Sequence, residues 1–125
     1  MAEDLNVVSM TGRLTKDAES RKAGETPVAV CRFASTTRAK EGGDWVDKPN
    51  YFDLVIWGRE GLHQYLTKGK QLAVTGQLRW REWEKDGQKN QRVEIHVNQG
   101  GHIGLLGGGE ERKQESSNDD PFGDI

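Results

Sequence analysis

Alternation with a period of two, sustained through two runs of the chain, limits the possible folds more than any other feature. In Tyr51-Phe-Asp-Leu-Val-Ile-Trp-Gly58, Phe52, Leu54 and Ile56 share one face while Tyr51, Asp53, Val55 and Trp57 share the other. Side chains of a strand point alternately to its two sides, so the first set reads as a core face. Lys70 to Trp83 behaves in the same way, with Leu72, Val74, Gly76 and Leu78 facing inward and Ala73, Thr75, Gln77, Arg79, Arg81 and Trp83 outward. Large aromatics and arginines therefore share an outer surface.

A flat ring stacks on any nucleobase and a guanidinium pairs with any phosphate, so this combination suits unpaired nucleic acid without regard to sequence. Taken singly, Tyr51, Trp57 and Trp83 fit a second small core or a subunit contact at least as well. Three rings on the outer parity of two strands, with Arg79 and Arg81 among them, favour nucleic acid.

At 125 residues the chain has room for one compact domain and some sequence outside its core. A single cysteine, Cys31, excludes a disulfide framework within one chain and a multi-cysteine zinc site, and points to a reducing, cytoplasmic setting. No apolar run reaches the length of a membrane span, and the N-terminus lacks the layout of a signal peptide. The formal charge of -2 is unevenly distributed: residues 110–125 hold six acidic side chains against Arg112 and Lys113, which leaves residues 1–109 mildly basic. Such an asymmetry marks a binding body with an acidic tail. The tail has no apolar periodicity, so it is expected to stay mobile, either as an interaction segment or as a solvated end.

In chain order, Leu5–Leu14 alternates and reads as a first strand. The polar stretch 16–26, with Gly24 and then Pro27, reads as a connection. Val28–Arg38 is a second strand with Ala29, Cys31 and Phe33 inward and Arg32, Thr36 and Arg38 outward. Cys31 is most simply a small buried hydrophobe. Gly42-Gly43 and Pro49 predict a flexible loop over 39–50, in which Trp45 fits equally a ring folded back on the body or a base contact; Arg38 and Lys40 at its base favour the latter. Leu62, Tyr65 and Leu66 recur at helical spacing, which predicts a short amphipathic helix over 59–68 ended by Gly69, with His63 exposed. Asp86-Gly87 signals a hairpin into a fifth strand, Arg92–Asn98, with Val93, Ile95 and Val97 inward. Three strands, a helix and two strands is the order of an OB-fold, an all-β, five-stranded Greek-key barrel that binds oligonucleotides.

Across roughly residues 4–109 the chain resembles the bacterial single-stranded DNA-binding proteins. The matching segments are Leu5-Asn-Val-Val-Ser-Met-Thr-Gly-Arg-Leu14, Phe33-Ala-Ser-Thr36, Phe52-Asp-Leu-Val-Ile-Trp-Gly58, Tyr65-Leu-Thr-Lys-Gly-Lys70, Val74-Thr-Gly-Gln-Leu-Arg79 and Leu105-Leu-Gly-Gly108, in one order. The resemblance implies a homotetramer that wraps single-stranded DNA in replication, recombination and repair, without catalysis, metal or cofactor. It places stacking aromatics on Tyr51, Trp57 and Trp83 and basic contacts on Arg79 and Arg81; Arg32, Arg38, Trp45 and Trp80 complete the candidate contact set.

Three departures stand out. Arg38-Ala39 occupies the place of a family aromatic after the second strand, Asp53 stands where a basic residue is common and is expected to repel phosphate, and the tail ends Asp119-Asp-Pro-Phe-Gly-Asp-Ile125. The family's tail closes on Pro-Phe and docks partner proteins, so Asp119, Asp120, Pro121 and Phe122 are the candidate docking residues here, although that motif lies three residues inside the end. Two alternatives remain from the residues themselves: a primosomal adaptor of the same fold acting through protein contacts, and an OB-fold nuclease. A nuclease needs clustered carboxylates for metal. Glu60, Glu82, Glu84 and Glu94 are scattered, and His63, His96 and His102 show no ligand spacing.

Overall fold

The computed structural model describes residues 3–98 and 100–108. Seven strands form one sheet: β1 (Val8–Leu14), β2 (Glu19–Ala23), β3 (Thr26–Glu41), β4 (Asp44–Trp57), β5 (Lys70–Lys85), β6 (Gln88–Val97) and β7 (His102–Gly108). The path β1-β3-β4-β6-β5 closes back on β1 through six residue pairs from Val8↔Gly76 to Arg13↔Gln71. These are the five strands expected of an OB barrel. β2 adds to the β3 edge, β7 adds to β5, and β4 and β6 run parallel from Asp53↔Glu94 to Ile56↔Val97.

The core is built from inward side chains that alternation selects, Leu14, Ala29, Cys31, Phe33, Leu54, Ile56, Leu72, Val74, Ile95 and Val97, joined by Leu66. Leu78 and Val93, expected inward by the same alternation, are instead 42% and 48% exposed, because β5 beyond Gly76 has left β1 and β7 and the β5–β6 hairpin runs out past the barrel. Burial pushes the Cys31 thiol up to about 12, which leaves it an unreactive packing group. β5 pairs with β1 and β7 through residues 70–76, then with β6 from Gln77 onward. Gly76 sits at that changeover because a Cβ there would run into the His96 carbonyl.

Several elements differ from the sequence reading. Stretch 16–26 is not a connection but contains β2, paired with β3 from Glu19↔Val30 to Ala23↔Thr26 around a turn at Gly24. Its residues are all exposed, so no buried face writes an apolar alternation into them. Nor is 39–50 a loop: β3 and β4 pair continuously from Val28↔Trp57 to Glu41↔Asp44, and Gly42 and Gly43 form the two-residue turn with φ of 61° and 90°. Two positive φ angles are what a tight hairpin turn demands, and Gly-Gly meets them. Pro49 is tolerated because its strand pairs on one side only at that point.

The expected amphipathic helix is a 3-10 helix, Glu60–Tyr65, which buries none of its residues. Leu66, just after it, is the one that enters the core, while Tyr65 stays exposed. With three residues per turn, a 3-10 segment does not keep Leu62, Tyr65 and Leu66 on one stripe. His63 is half-buried rather than exposed, bonded to the Ser20 hydroxyl and the Gly58 carbonyl at 2.9 Å each. Leu5 and Val7 precede the first strand and are exposed. The acidic tail, residues 110–125, lies outside the described residues.

Candidate nucleic-acid interface

The outer parity of β3, β4, β6 and β5 forms one continuous surface. Cross-strand registers place Val28 beside Trp57, Arg32 beside Asp53 and Ala34 beside Tyr51; Asp53 in turn neighbours Glu94, which neighbours Arg79, while Arg81 faces Arg92 and Trp83 faces Asn90. Tyr51, Trp57, Trp83, Arg32, Arg79 and Arg81 are thus brought together.

A chain of polar contacts links these side chains. The Trp57 indole N–H donates to His96 Nδ1 at 2.9 Å, and the two rings stack with centroids 6.1 Å apart. His96 Nε2 bonds Glu94 Oε1 at 2.9 Å, and Glu94 Oε2 takes the Arg81 fork at 3.1 and 3.2 Å. Arg81 and Arg92 lie over the Trp83 ring, 4.7 and 5.3 Å from its centroid. Arg92 Nη1 reaches Asp53 Oδ2 at 3.0 Å, Asp53 Oδ1 holds Arg32 Nη1 at 3.2 Å, and Arg32 lies 5.6 Å from the Tyr51 centroid. Each aromatic is coupled to a cation or a histidine that a carboxylate anchors.

Glu94 and His96 are only 4% and 6% exposed although they lie on the outer parity. A buried carboxylate is tolerated only when its lone pairs are met, and here a guanidinium and an imidazole meet them. The indole can only donate, so His96 Nδ1 accepts and Nε2 carries the hydrogen given to Glu94. Sequence reading missed both residues as parts of the site. The signal was present in β6, where Arg92, Glu94 and His96 alternate with Val93, Ile95 and Val97.

Asp53 corrects a second expectation. It does not stand as an uncompensated negative charge, because each carboxylate oxygen is held by a different arginine. Arg79 is exposed and makes no ion pair among the described residues.

Trp45 and Arg38 are set apart on the far end of the β3–β4 hairpin. There Arg38 and Lys40 lie over the Trp45 ring at 5.8 and 5.9 Å, and the ring stays 59% exposed rather than folded back on the barrel. Trp80 is not brought to the interface. Alternation turns it to the opposite face of the β5–β6 hairpin, beside Val93, where it is 61% exposed with its indole bonded to Gln91 Oε1 at 3.2 Å.

Among the described residues, no group of three or more His, Cys, Asp or Glu side chains is placed to hold a metal ion, and no helix is long and apolar enough to cross a membrane. The model of the single-strand binding protein family matches residues 5–104. The chain belongs to that family. It is 46% identical over 116 residues to a single-stranded DNA-binding protein of Treponema pallidum, covering 90% of this chain and 65% of that relative. A single-stranded DNA-binding protein of Borreliella burgdorferi is 41% identical over 100 residues, covering 75% of this chain and 66% of the relative. The chain therefore spans about two thirds of the length of these family members.

Solved structures agree on the barrel. The Plasmodium falciparum SSB in complex with ssDNA superposes with a TM-score of 0.75 at 22% identity, over 85% of this chain and 98% of that one. A deletion mutant of the single-stranded DNA-binding protein from Thermus aquaticus gives 0.71 at 29% identity, over 90% of this chain and 55% of that one.

Proposed function

We propose that this family member binds single-stranded DNA without sequence preference and protects it during replication, recombination and repair. The observation that carries this reading is the outer face on which Tyr51, Trp57 and Trp83 are each coupled to a carboxylate-anchored partner. Rings stack on bases, and Arg32, Arg79, Arg81 and Arg92 meet phosphates. A base arriving at Trp83 replaces a guanidinium over the ring, and the displaced guanidinium turns to the adjoining phosphate. Trp45 and Arg38 extend the track along the β3–β4 hairpin. The protein acts by binding alone, in the cytoplasm, with residues 1–109 as the binding domain.

Four barrels related by dihedral symmetry give the track its length. Residues 110–125 act as an acidic interaction tail whose Asp119, Asp120, Pro121 and Phe122 are offered to basic, apolar pockets on replication and repair proteins. Titration with oligo-dT and with duplex, read by tryptophan emission, tests the central reading: quenching by the single strand and little change with duplex are expected. Equal affinity for both would refute it. Sedimentation showing a stable monomer would refute the tetramer.

A further inference from the structure

β2 enlarges the outer face beyond the ring platform. Its register with β3 puts Glu19 beside Val30 and Arg21 beside Val28, on the same side as Arg32, Asp53 and Trp57. Between this strand and the platform lies a shallow cavity of about 190 Å³, whose charged lining is Lys16, Glu19, Arg21, Arg32, Asp53 and Arg92. Four cations face two carboxylates there.

The carboxylates shape the site rather than fill it. Asp53 takes one nitrogen from Arg32 and one from Arg92, and a guanidinium carries five N–H donors, so most of each fork is still available. Shared anchoring on one half-buried carboxylate also limits the directions those forks can take. Arg21 gives Nε and Nη2 to Glu19, which leaves Nη1 for another acceptor. The bonded Arg21 holds the Glu19 carboxyl below the usual carboxylate range. A tetrahedral anion with several acceptor oxygens matches forks converging from two sides.

The two arginines that share Asp53 are also the ones over Tyr51 and Trp83. The cavity is thus bounded by guanidinium groups that contact two candidate stacking rings, so an anion seated in it shares its arginines with both rings. Resting on the reading of single-stranded DNA binding, we propose that this cavity is a phosphodiester seat formed by Arg32 and Arg92 with Lys16 and Arg21, and that the DNA leaves the platform over β3 toward β2.

The seat makes two predictions of opposite sign at exposed positions. Neutralising its outer wall with Lys16→Gln and Arg21→Gln together should weaken binding of long oligo-dT several-fold at low salt. It should also flatten the salt dependence by about 0.7 in log K per log salt for each phosphate lost, while oligomers that cover only the ring platform bind as before. Glu19→Gln removes a negative charge and frees Arg21, so it should tighten binding of the long oligomer and steepen the same slope. Titrating the full chain and these variants with oligo-dT of increasing length, across a salt series, reads both. Unchanged affinity and slope at every length in the double variant, with normal binding by the parent chain, overturns the seat and leaves the parent reading standing. Failure of the parent chain to bind any oligo-dT overturns both.

Discussion

Two hairpins extend from the barrel, each with a tryptophan under cations, and they are built differently. Beyond Ala34 and before Asp53, the β3–β4 arm pairs only with itself, and its ion pairs, Arg38 with Asp47 and Lys48 with Glu41, are among exposed side chains. The β5–β6 arm is tied down at its root on both sides. Glu94 grips Arg81 and Asp53 grips Arg92 on the outer face, while the Asn6 side chain pairs with both the N–H and the C=O of Leu78 at 3.0 and 2.9 Å. Exposed ion pairs contribute little, whereas charges held at a buried carboxylate fix geometry. The cations over Trp83 are thus fixed by carboxylates at the root of their arm, whereas those over Trp45 sit on an arm braced only by exposed ion pairs.

The largest expected effects follow from that contrast. Trp57→Ala and Trp83→Ala should each lose about 1–3 kcal/mol of oligo-dT affinity, the range for one stacked base, because their rings are placed before DNA arrives. Trp45→Ala should lose less than half as much in the same fluorescence or filter-binding titration. Equal losses at Trp45 and Trp83 would erase the distinction between the arms.

Charge removal sharpens it further. Glu94→Gln leaves Arg81 and His96 without their shared anion and should lower stability by about 1–3 kcal/mol in urea unfolding, with weaker DNA binding at permissive conditions. Asp47→Asn on the other arm removes only an exposed pair and should change the unfolding free energy by no more than about 0.5 kcal/mol. His96→Phe keeps a ring against Trp57 but deletes its acceptor. It should shift the tryptophan emission of the free protein and weaken binding by about 0.5–1.5 kcal/mol, one hydrogen bond's contribution.

The smallest effect is expected in salt dependence. Arg79→Ala should reduce the slope of log K against log salt by about 0.7, one phosphate contact's worth on single strands. Arg38→Ala should change it less, since that arginine sits on the untethered arm. A larger change at Arg38 would move the main phosphate track onto the β3–β4 hairpin.

The alternation of Phe52-Leu54-Ile56 and Leu72-Val74 was legible because each strand has one face in the core, and a buried face imposes apolar residues at every second position. The same parity picked out Tyr51, Trp57, Arg79, Arg81 and Trp83. β2 was not legible because all of its side chains are exposed. The β3–β4 arm beyond the barrel hid for the same reason, and its Gly42-Gly43 turn carried the one local signal that it is a hairpin. Asp86-Gly87, the equivalent turn of the other arm, was read correctly because apolar alternation resumes after it.

The sequence alone determined the all-β barrel, most of its inward face and the placing of Tyr51, Trp57, Trp83, Arg79 and Arg81 on the outer face, since both hydrophobic period and outer parity are properties of a single strand. Which carboxylate meets which cation was decided only by tertiary structure. Asp53 reads as a repulsive charge until β6 brings Arg92 beside it and β3 brings Arg32. Glu94 and His96 read as scattered polar residues until the parallel pairing of β4 with β6 sets them next to Asp53 and Val55 and within reach of Trp57. The Arg32–Asp53 and Trp57–His96 contacts join residues 21 and 39 positions apart, and a pattern read along one strand holds no information about which other strand lies beside it.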